Sequence, residues 1–294
     1  MRQPAYLELP ERERLLKLAT YASVAVALGL IALKSGVWML SGSVSILASL
    51  IDSLMDSAAS IINLFAVRYA LKPADREHRF GHGKAEALAG LAQAAFITGS
   101  ALLVLLQGIE RLLDPQPIAA TWLGIGVMIL SIIATLGLLA VQRHVITRTG
   151  STAITADALH YRSDLLLNAS VIVALLLAAY GIRRADALMG LAIALYIAYS
   201  ALRIGLDAIQ ILMDHELPDE VRAEALALAR AVPGVVDVHD FRSRQSGHHW
   251  FMQMHVELPA QMALADAHEL GEAVRAALEK RFPQVDVLIH TDPV

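Results

Sequence analysis

Long apolar windows recur along the first two thirds of the chain and are separated by short polar stretches. A helix needs about 20 residues to cross the hydrocarbon core of a bilayer, so window length is the first test. Six windows pass it, at residues 18–39, 44–67, 87–109, 118–142, 153–182 and 187–213. The first lacks a cleavage site of small residues, so we interpret it as a span and not as a signal peptide. The pattern predicts a domain of six transmembrane helices over residues 1–214.

After Asp214 the pattern changes to short elements with polar alternation. Pro218 suits the first turn of a helix, which would run over 218–231 and end before Pro233-Gly234. Residues 235–244 and 250–258 alternate like two strands around a turn, residues 263–282 have helical spacing, and 285–290 reads as a last strand. The order αββαβ predicts a small α+β domain of the ferredoxin or metallochaperone type over residues 215–294.

Composition supports a membrane protein and excludes several other classes. The chain is 56% hydrophobic and 18% charged, with a mean hydropathy of +0.53, which excludes disordered and fibrous chains. Its 24 basic and 28 acidic residues give a net charge of −4, so no global positive field is present to bind nucleic acid. Because the chain has no cysteine, any metal must be held by histidine, carboxylates, backbone or water.

Basic residues in the short flanks of the spans predict the orientation of the chain. Eleven lie on one side: Arg2, Arg12, Arg14, Lys17, Arg68, Lys72, Arg76, Arg79, Lys84, Arg143 and Arg148. Four lie on the other: Lys34, Arg111, Arg183 and Arg184. Because basic loops stay in the cytoplasm, both termini and the C-terminal domain are expected to be cytoplasmic. That domain carries 13 acidic and 7 basic residues, a balance that favours the collection of cations.

Two predicted spans carry ligand-type residues at helical spacing. Asp52 and Asp56 are four residues apart in the second span, and His160 and Asp164 are four apart in the fifth. An unpaired charge at the bilayer centre costs about 3 kcal/mol, so a positive partner is implied. Both pairs lie roughly 18 Å from their cytoplasmic flanks at helical rise, so they can meet at one level. Three carboxylates and an imidazole suit Zn²⁺, with Fe²⁺, Mn²⁺, Co²⁺ and Cd²⁺ as competitors, better than Mg²⁺ or Ca²⁺.

Other interpretations of these charges remain open at this point. An intramembrane carboxylate can pair with a neighbouring arginine, and Arg162 is available, or it can relay protons. Asp157 and Asp207 are interpreted as polar groups at a helix end or facing the bundle.

Together these features resemble the cation diffusion facilitator family, and the likeness covers essentially the whole chain. The loop at 73–84 and the ending Ile289-His290-Thr291-Asp292-Pro293 are most similar to those of bacterial members that export zinc and iron. The resemblance implies a homodimer, not an enzyme, in a bacterial inner membrane. It would export Zn²⁺, with Fe²⁺ or Cd²⁺ as further substrates, from the cytoplasm in exchange for protons.

The resemblance also implies three metal sites and a charge interlock at the dimer junction. The transport site falls on Asp52, Asp56, His160 and Asp164, and a loop site falls on Asp75, His78 and His82. A binuclear zinc site, structural or regulatory, falls on His239, His255, His268, His290 and Asp292. The interlock falls on Lys84 and Asp214. One departure is Thr291, where the related family protein has glutamine.

From the residues alone, the loop site and the site in the C-terminal domain are weaker predictions than the transport site. Residues 75, 78 and 82 are spaced so that a compact loop could converge them, although a solvated polar loop is the alternative. In the last strand Asp286, Leu288 and His290 share the polar face, where histidines can be plain surface residues. His144 is interpreted as a cap at the cytoplasmic end of the fourth span and His215 as a residue of the domain junction. His248 and His249 are interpreted as turn residues, with an auxiliary ligand role as the alternative.

The motifs also bear on the source of energy. No His-Glu-x-x-His motif occurs, and Gly81-His82-Gly83-Lys84 lacks the first glycine of a phosphate loop, so neither a metallopeptidase nor an ATP-driven pump is expected. Protons and divalent cations compete for the same lone pairs, and His160 is the natural proton-sensitive ligand. We expect spans 2 and 5 to move the site against spans 3 and 6 by alternating access. The rival functions are a metal-sensing membrane scaffold and a passive cation channel.

Overall fold

Six long helices form the first part of the chain in the computed structural model, which describes residues 9–42, 44–113, 122–179 and 185–294. They are α1 (Leu9–Ser41), α2 (Val44–Ala70), α3 (Lys84–Leu113), α4 (Trp122–Thr149), α5 (Thr152–Ala179) and α6 (Ala185–Leu212). The start of the fourth predicted span at 118–121, the end of the fifth at 180–182, and Arg2, Arg183 and Arg184 lie outside the described residues.

Five of these helices, α1 to α4 and α6, are long and apolar enough to cross a membrane. On α3 the outward side chains of Leu102, Leu103 and Leu106 are each more than half exposed, as lipid-facing residues are. The helix α5 is 28 residues long but carries Asp157, Arg162 and Asp164, and it is not among the five. The prediction of a helical membrane domain is confirmed, and five of its six predicted spans have the required length and composition.

A tight connection between α4 and α5 fixes where the fifth helix begins. Gly150 has a φ of 63°, and its N–H donates to the carbonyl of Ile146 at 2.9 Å, which closes the end of α4. One residue later the Ser151 hydroxyl accepts the Ile154 N–H at 3.2 Å, as an N-terminal cap does. The following turns of α5 carry Asp157, His160 and Asp164 into the bundle, so this connection sets their height.

The transmembrane helices belong to one compact unit, which comprises residues up to Leu71 and from Ala85 to Ala208. In it α1 packs against α2, α4 and α5, and α2 also contacts α5. A separate apolar cluster joins α3, α5 and α6 through Ile97, Leu159 and Ile197. The helix α5 thus contacts members of both groups.

The second unit contains a three-stranded sheet covered on one face by two helices. Its elements are α7 (Asp219–Arg230), β1 (Asp237–Ser246), β2 (His249–Leu258), α8 (Leu264–Arg281) and β3 (Val285–Pro293). The strand order is β1-β2-β3, with β1 antiparallel and β3 parallel to β2. The predicted order αββαβ is confirmed, with β1 ending two residues later and β3 three residues later than the sequence predicts.

The core of this unit follows from the alternation of its strands. Met252, Met254 and Val256 of β2 are buried, and they pack with Val221 of α7 and Val274 of α8. The opposite face of the sheet has no helix among the described residues and is polar. One face of the sheet therefore serves stability, and the other is available for ligands.

The loop between α2 and α3, residues 72–84, belongs to this second unit and not to the helix bundle. Phe80 stacks edge-on against Phe251 at 5.5 Å between ring centroids, and the Arg244 guanidinium lies over both rings. Gly83 packs against the backbone of Ser246 and Gly247 at the β1–β2 turn. The division at residue 214 that we expect from the sequence takes no account of this loop.

Candidate metal centres

Three residues of α2 and α5 converge inside the transmembrane unit. The Nε2 atom of His160 lies 2.9 Å from Oδ1 of Asp56 and 3.7 Å from Oδ2 of Asp164. One ligand atom from each of the three residues lies within 4.8 Å of the other two. A tetrahedral zinc ion, with bonds of about 2.0 Å, holds its ligands roughly 3.3 Å apart. The three side chains are thus close to the spacing that a single metal ion requires.

Asp52 lies one helical turn before Asp56 and lines the same cavity, which has a volume of about 90 Å³. It is not part of the cluster at ligand spacing, which contains only three of the four predicted ligands. The cavity is lined by Ala27, Leu30, Lys34, Ser49, Asp52, Ser53, Asp56, Ser131, Thr135, Tyr161, Asp164, Leu167 and Asn168. Two carboxylates and an imidazole are therefore assembled, with a third carboxylate on the cavity wall.

The other charged residues of α5 and α6 take different places. Arg162 is exposed and makes no ion pair with Asp52, Asp56 or Asp164, all of which lie in the described part of the chain. That arrangement does not support the ion-pair alternative. Asp207 is exposed on α6.

Asp157 is completely buried and ties four helices together. Its carboxylate accepts hydrogen bonds from Ser23 of α1, from Gln142 of α4 at 2.7 Å and from Gln93 of α3 at 3.3 Å. Tyr161 adds a further link, because its hydroxyl donates to the Ser23 carbonyl. This network fixes the rotation of α5 about its axis and its position along that axis. His160 lies three residues after Asp157, so the network also positions His160.

Lys34 also lines the cavity of the carboxylates, which the sequence does not predict. The sequence pattern predicts a flanking charge of the outer side here, whereas in the structure Lys34 is 8% exposed and lines the cavity that contains the carboxylates. The signal that could have found it is its isolation, since it is the one charged residue in the first predicted span.

The loop of the second unit brings Asp75, His78 and His82 within 4.8 Å of one another. Asp75 Oδ2 lies 3.4 Å from His82 Nε2, and its Oδ1 lies 3.4 Å from His78 Nδ1. Oδ1 also accepts the backbone N–H groups of His78 and Glu77, and these bonds lower the pKa of the Asp75 carboxyl. The carboxylate is thereby kept ionised in the form that binds metal.

A second cluster lies on the polar face of the sheet, where three histidines occupy one rung. His239 pairs with His255 in the antiparallel ladder, and His255 pairs with His290 in the parallel one. Asp292 follows two residues after His290, so its side chain is on the same face. Its Oδ2 lies 2.8 Å from His255 Nδ1 and 3.4 Å from His239 Nε2, and its Oδ1 lies 3.2 Å from His290 Nε2.

The electrostatics of this rung suit a cation. The hydrogen bond from His255 lowers the pKa of the Asp292 carboxyl, and the neighbouring imidazoles act in the same direction. Two further carboxylates, which we did not predict as ligands, reach the same histidines. Glu257 lies 3.3 Å from His239 and Asp240 lies 3.7 Å from His255. Asp240 has a φ of 43° within a bulge of β1, a local feature that alternation of residue types does not reveal.

His268 and Thr291 are not part of this cluster, because they lie on the face of the sheet that α8 covers, opposite the rung. His268 is on α8 and lines a cavity of about 210 Å³ with Glu272, Arg275 and Thr291. It is not among the described side chains at ligand spacing, which are those of His239, His255 and Asp292. Its place in a binuclear site stays a prediction.

The remaining predicted residues are placed as follows. Lys84 Nζ lies 2.9 Å from Asp214 Oδ1 and also donates to the carbonyl of Leu212, so the two members of the predicted interlock are in contact within one chain. The rings of His248 and His249 are 3.9 Å apart at the hairpin turn. His144 and His215 are exposed.

Comparison with known proteins identifies the family. Residues 20–213 match the cation efflux transmembrane domain, and residues 217–294 match the cation efflux protein cytoplasmic domain. The chain therefore belongs to the cation efflux family.

Among curated relatives, the cation-efflux pump FieF of Yersinia pestis (strain Pestoides F) is 50% identical over 284 residues, or 97% of this chain and 95% of the relative. The protein of the same name from Yersinia pseudotuberculosis serotype O:3 (strain YPIII) has the same identity and coverage. Among solved structures, the MamM CTD in a nickel form is 24% identical, with a TM-score of 0.25, and covers 26% of this chain and 99% of its own. The structure titled MamM-CTD 215-293 is 25% identical, with the same TM-score, and covers 26% of this chain and 98% of its own.

Proposed function

We propose that this protein exports divalent metal cations from the cytoplasm in exchange for protons. The observation that carries the proposal is the cluster of Asp56, His160 and Asp164 inside the transmembrane unit. Ionisable side chains are expensive in a membrane interior and mark ion pathways there. Half of the residues of a cation-efflux pump named FieF are identical in this chain, which supports the same direction of transport.

Zn²⁺ is the proposed main substrate, with Fe²⁺ and Cd²⁺ as further ones. An imidazole nitrogen beside carboxylate oxygens suits borderline-soft divalent ions, whereas Mg²⁺ and Ca²⁺ prefer shells made only of oxygen. In the loaded state Asp52 would swing from the cavity wall to give the fourth ligand. The transport site is then Asp52, Asp56, His160 and Asp164.

Proton exchange follows from the chemistry of the ligands. Imidazole must be neutral and carboxylates ionised to bind metal, so loading releases protons and protonation from the outer side expels the ion. Movement of α2 and α5 against α3 and α6 would turn the site from one side of the membrane to the other. The contact between α2 and α5 supports the movement of these two helices as a pair.

The second unit is proposed to be a cytoplasmic dimerisation and metal-binding module. Residues 1–214 would form the transmembrane domain and 215–294 the module, with both termini in the cytoplasm of a bacterial cell and six spans in its inner membrane. Zinc on the rung of His239, His255, His290 and Asp292, joined by His268, and on the loop site of Asp75, His78 and His82 would brace or regulate a homodimer. The acidic balance of the module supports this role, because bound cations offset repulsion between two copies.

Metal flux in proteoliposomes tests the transport site. Wild-type protein should move Zn²⁺ when a pH gradient is imposed, and Asp56→Asn should reduce the initial rate at least about hundredfold, because the variant loses a charged ligand. Asp207→Asn is the matched control, since that carboxylate is exposed on α6 and outside the cluster. Equal rates in the wild type and Asp56→Asn would contradict the proposed site.

The same preparation separates the rival functions. A passive channel would carry Zn²⁺ at a rate that does not respond to the imposed pH gradient. A sensing scaffold would bind metal without flux, and Asp56→Asn would leave its output intact.

Zinc titration of the full chain tests the module. Saturation at about 100 times the dissociation constant stabilises a folded protein by roughly 2.7 kcal/mol. Zinc should therefore raise the melting temperature of the wild type, and a chelator should reverse the change. Asp292→Ala, which removes the carboxylate that three histidines share, should lose the part of the increase that the rung contributes. An equal increase in both proteins would contradict metal binding on the rung.

A further inference from the structure

The cavity of the proposed transport site is lined by a positively charged side chain, that of Lys34. The ammonium of Lys34 donates to the Ser53 hydroxyl at 2.7 Å and to the Ser49 carbonyl at 3.1 Å, both on α2. These partners are neutral groups, and Ser53 directly follows Asp52 in the sequence. Lys34 thus lines the same cavity as the carboxylates, but its hydrogen bonds are made to Ser49 and Ser53.

Lys34 shares a cavity with the carboxylates but is not within ion-pair distance of them. Lys34 lines the cavity of about 90 Å³ together with Asp52, Asp56 and Asp164. No ion pair joins it to any of these three residues, each of which the structure describes, within the 4.0 Å that defines one. The ammonium therefore acts on the cavity through its field, without occupying a ligand oxygen.

The formal charges of the cavity balance around one divalent ion. Three ionised carboxylates and one ammonium sum to two negative charges, which a single dication cancels. Without the ammonium, the loaded cavity would keep one negative charge. A net charge is costly in a low-dielectric interior, so a neutral loaded cavity is the form that the bundle can enclose at least cost.

We propose that Lys34 is a charge-balancing residue of the transport cavity, which neutralises the loaded site and weakens metal binding enough for the ion to leave. This inference rests on the proposed function, because it assigns Lys34 to the same site. A positive charge beside the site repels a dication, so its removal should tighten binding. A residue that merely anchors α1 to α2 would have the opposite effect, since its loss would loosen the site.

The test measures zinc affinity in purified full-length protein with the other sites silenced. His78→Ala and His255→Ala form the background, so that the cavity is the site being titrated. The dissociation constant is measured by competition with a chromophoric chelator, at a pH above which the affinity no longer changes. Proton competition then does not enter the comparison.

Lys34→Met should lower the dissociation constant about tenfold, because one repulsive charge is removed. Lys34→Arg should stay within about twofold of the background, since it keeps the charge. Ser53→Ala is the matched control, because it removes the hydrogen bond at 2.7 Å and keeps the ammonium. In proteoliposomes with the loop and sheet sites intact, Lys34→Met should lower both KM and the maximal rate, since a tightly held ion leaves slowly.

An unchanged or higher dissociation constant in Lys34→Met overturns the inference. So does a Ser53→Ala variant that reproduces the whole effect of Lys34→Met, since the hydrogen bond and not the charge would then be responsible. Melting curves confirm that each variant is folded, and Lys34→Gln replaces Lys34→Met if the latter is not. If the wild type binds zinc but carries no flux, the transporter proposal fails while the affinity comparison still decides the role of Lys34.

Discussion

At the scale of single residues, His160 is the side chain on which the ion preference of the proposed transport site should depend most. It is the one imidazole among the three clustered side chains, and it contacts a carboxylate on each of two helices. Its ring also packs edge-on against Tyr161, at 5.6 Å between centroids, which restricts its rotation. The preference for borderline ions over hard ones should depend on this side chain more than on any of the carboxylates.

His160→Asp should therefore change selectivity and not simply abolish transport. An all-oxygen site binds Zn²⁺ less tightly, by about tenfold or more, and gains relative affinity for Mn²⁺. Flux against a panel of cations, with and without a pH gradient, measures both the selectivity and the coupling to protons. His144→Asp is the control, because His144 is exposed at the end of α4. An unchanged ratio of zinc to manganese flux would exclude His160 from the site.

Asp75 stabilises its loop by a different effect, since it accepts two backbone N–H groups. The bond from the His78 N–H, assisted by that from Glu77, lowers the pKa of the carboxyl below its ordinary value of about 3.9. A depressed pKa means that the contribution to loop stability is complete above that ordinary value and is lost as the pH falls through the lower folded value.

Amide hydrogen exchange at Glu77 and His78 should follow this pH dependence. In the wild type the protection of these amides should be constant from pH 7 to about pH 4 and should fall only at lower pH. Asp75→Ala should lose the protection at every pH, whereas Asp75→Asn keeps an acceptor oxygen and should retain part of it. Protection in the wild type that falls already between pH 7 and pH 5 would contradict the depressed pKa.

At the scale of elements, the sequence predicted the helices and the αββαβ order well because these depend on local periodicity. The pairs on α2 and α5 could be predicted for the same reason, since helical spacing alone puts each pair on one face. The alignment of His239, His255 and His290 could not, because it depends on strand register, the bulge at Asp240 and a parallel crossover through α8. The sequence also could not predict that Asp56 joins the cluster at ligand spacing while Asp52 stays outside it, since this difference depends on tertiary packing.

The packing of the loop against the β1–β2 turn depends on Gly83. A Cβ atom added at this residue would overlap the Ser246 carbonyl oxygen and approach the Gly247 nitrogen to 2.8 Å. These neighbours are backbone atoms, which cannot rotate away as a side chain can.

Gly83→Ala should therefore destabilise the protein by about 1–3 kcal/mol, as overpacking does. Thermal unfolding of the purified protein measures the loss. Gly99→Ala on α3 is the control, because a Cβ there meets nothing within 4 Å and alanine favours a helix. A melting temperature of Gly83→Ala equal to that of the wild type would show that the turn moves without cost.

At the scale of the whole molecule, sequence reasoning separated a membrane part from a C-terminal part but did not assign the loop at 72–84 to the second unit. The reason is physical, because the contacts of Phe80 and Gly83 with that unit join residues more than 160 positions apart. Local pattern contains no information on such pairs. The loop site and the rung of histidines consequently belong to one folded unit, so metal at either of them can stabilise the same module.

Variants of the pair Lys84 and Asp214 can test how this module contributes to the proposed homodimer. The side chains are 34% and 46% exposed, so the pair alone contributes at most about 1 kcal/mol. Lys84→Ala should thus lower the melting temperature only slightly, and Lys84→Glu should do more harm because it faces Asp214 with a like charge. The double variant Lys84→Glu with Asp214→Lys should recover zinc flux and dimer content only in part, because Arg244 lies 3.5 Å from Asp214 and would repel the new lysine. Flux together with cross-linking in proteoliposomes measures this. If the losses of zinc flux and dimer content in the double variant equal the sum of those in the two single variants, a functional interaction between the two residues is excluded.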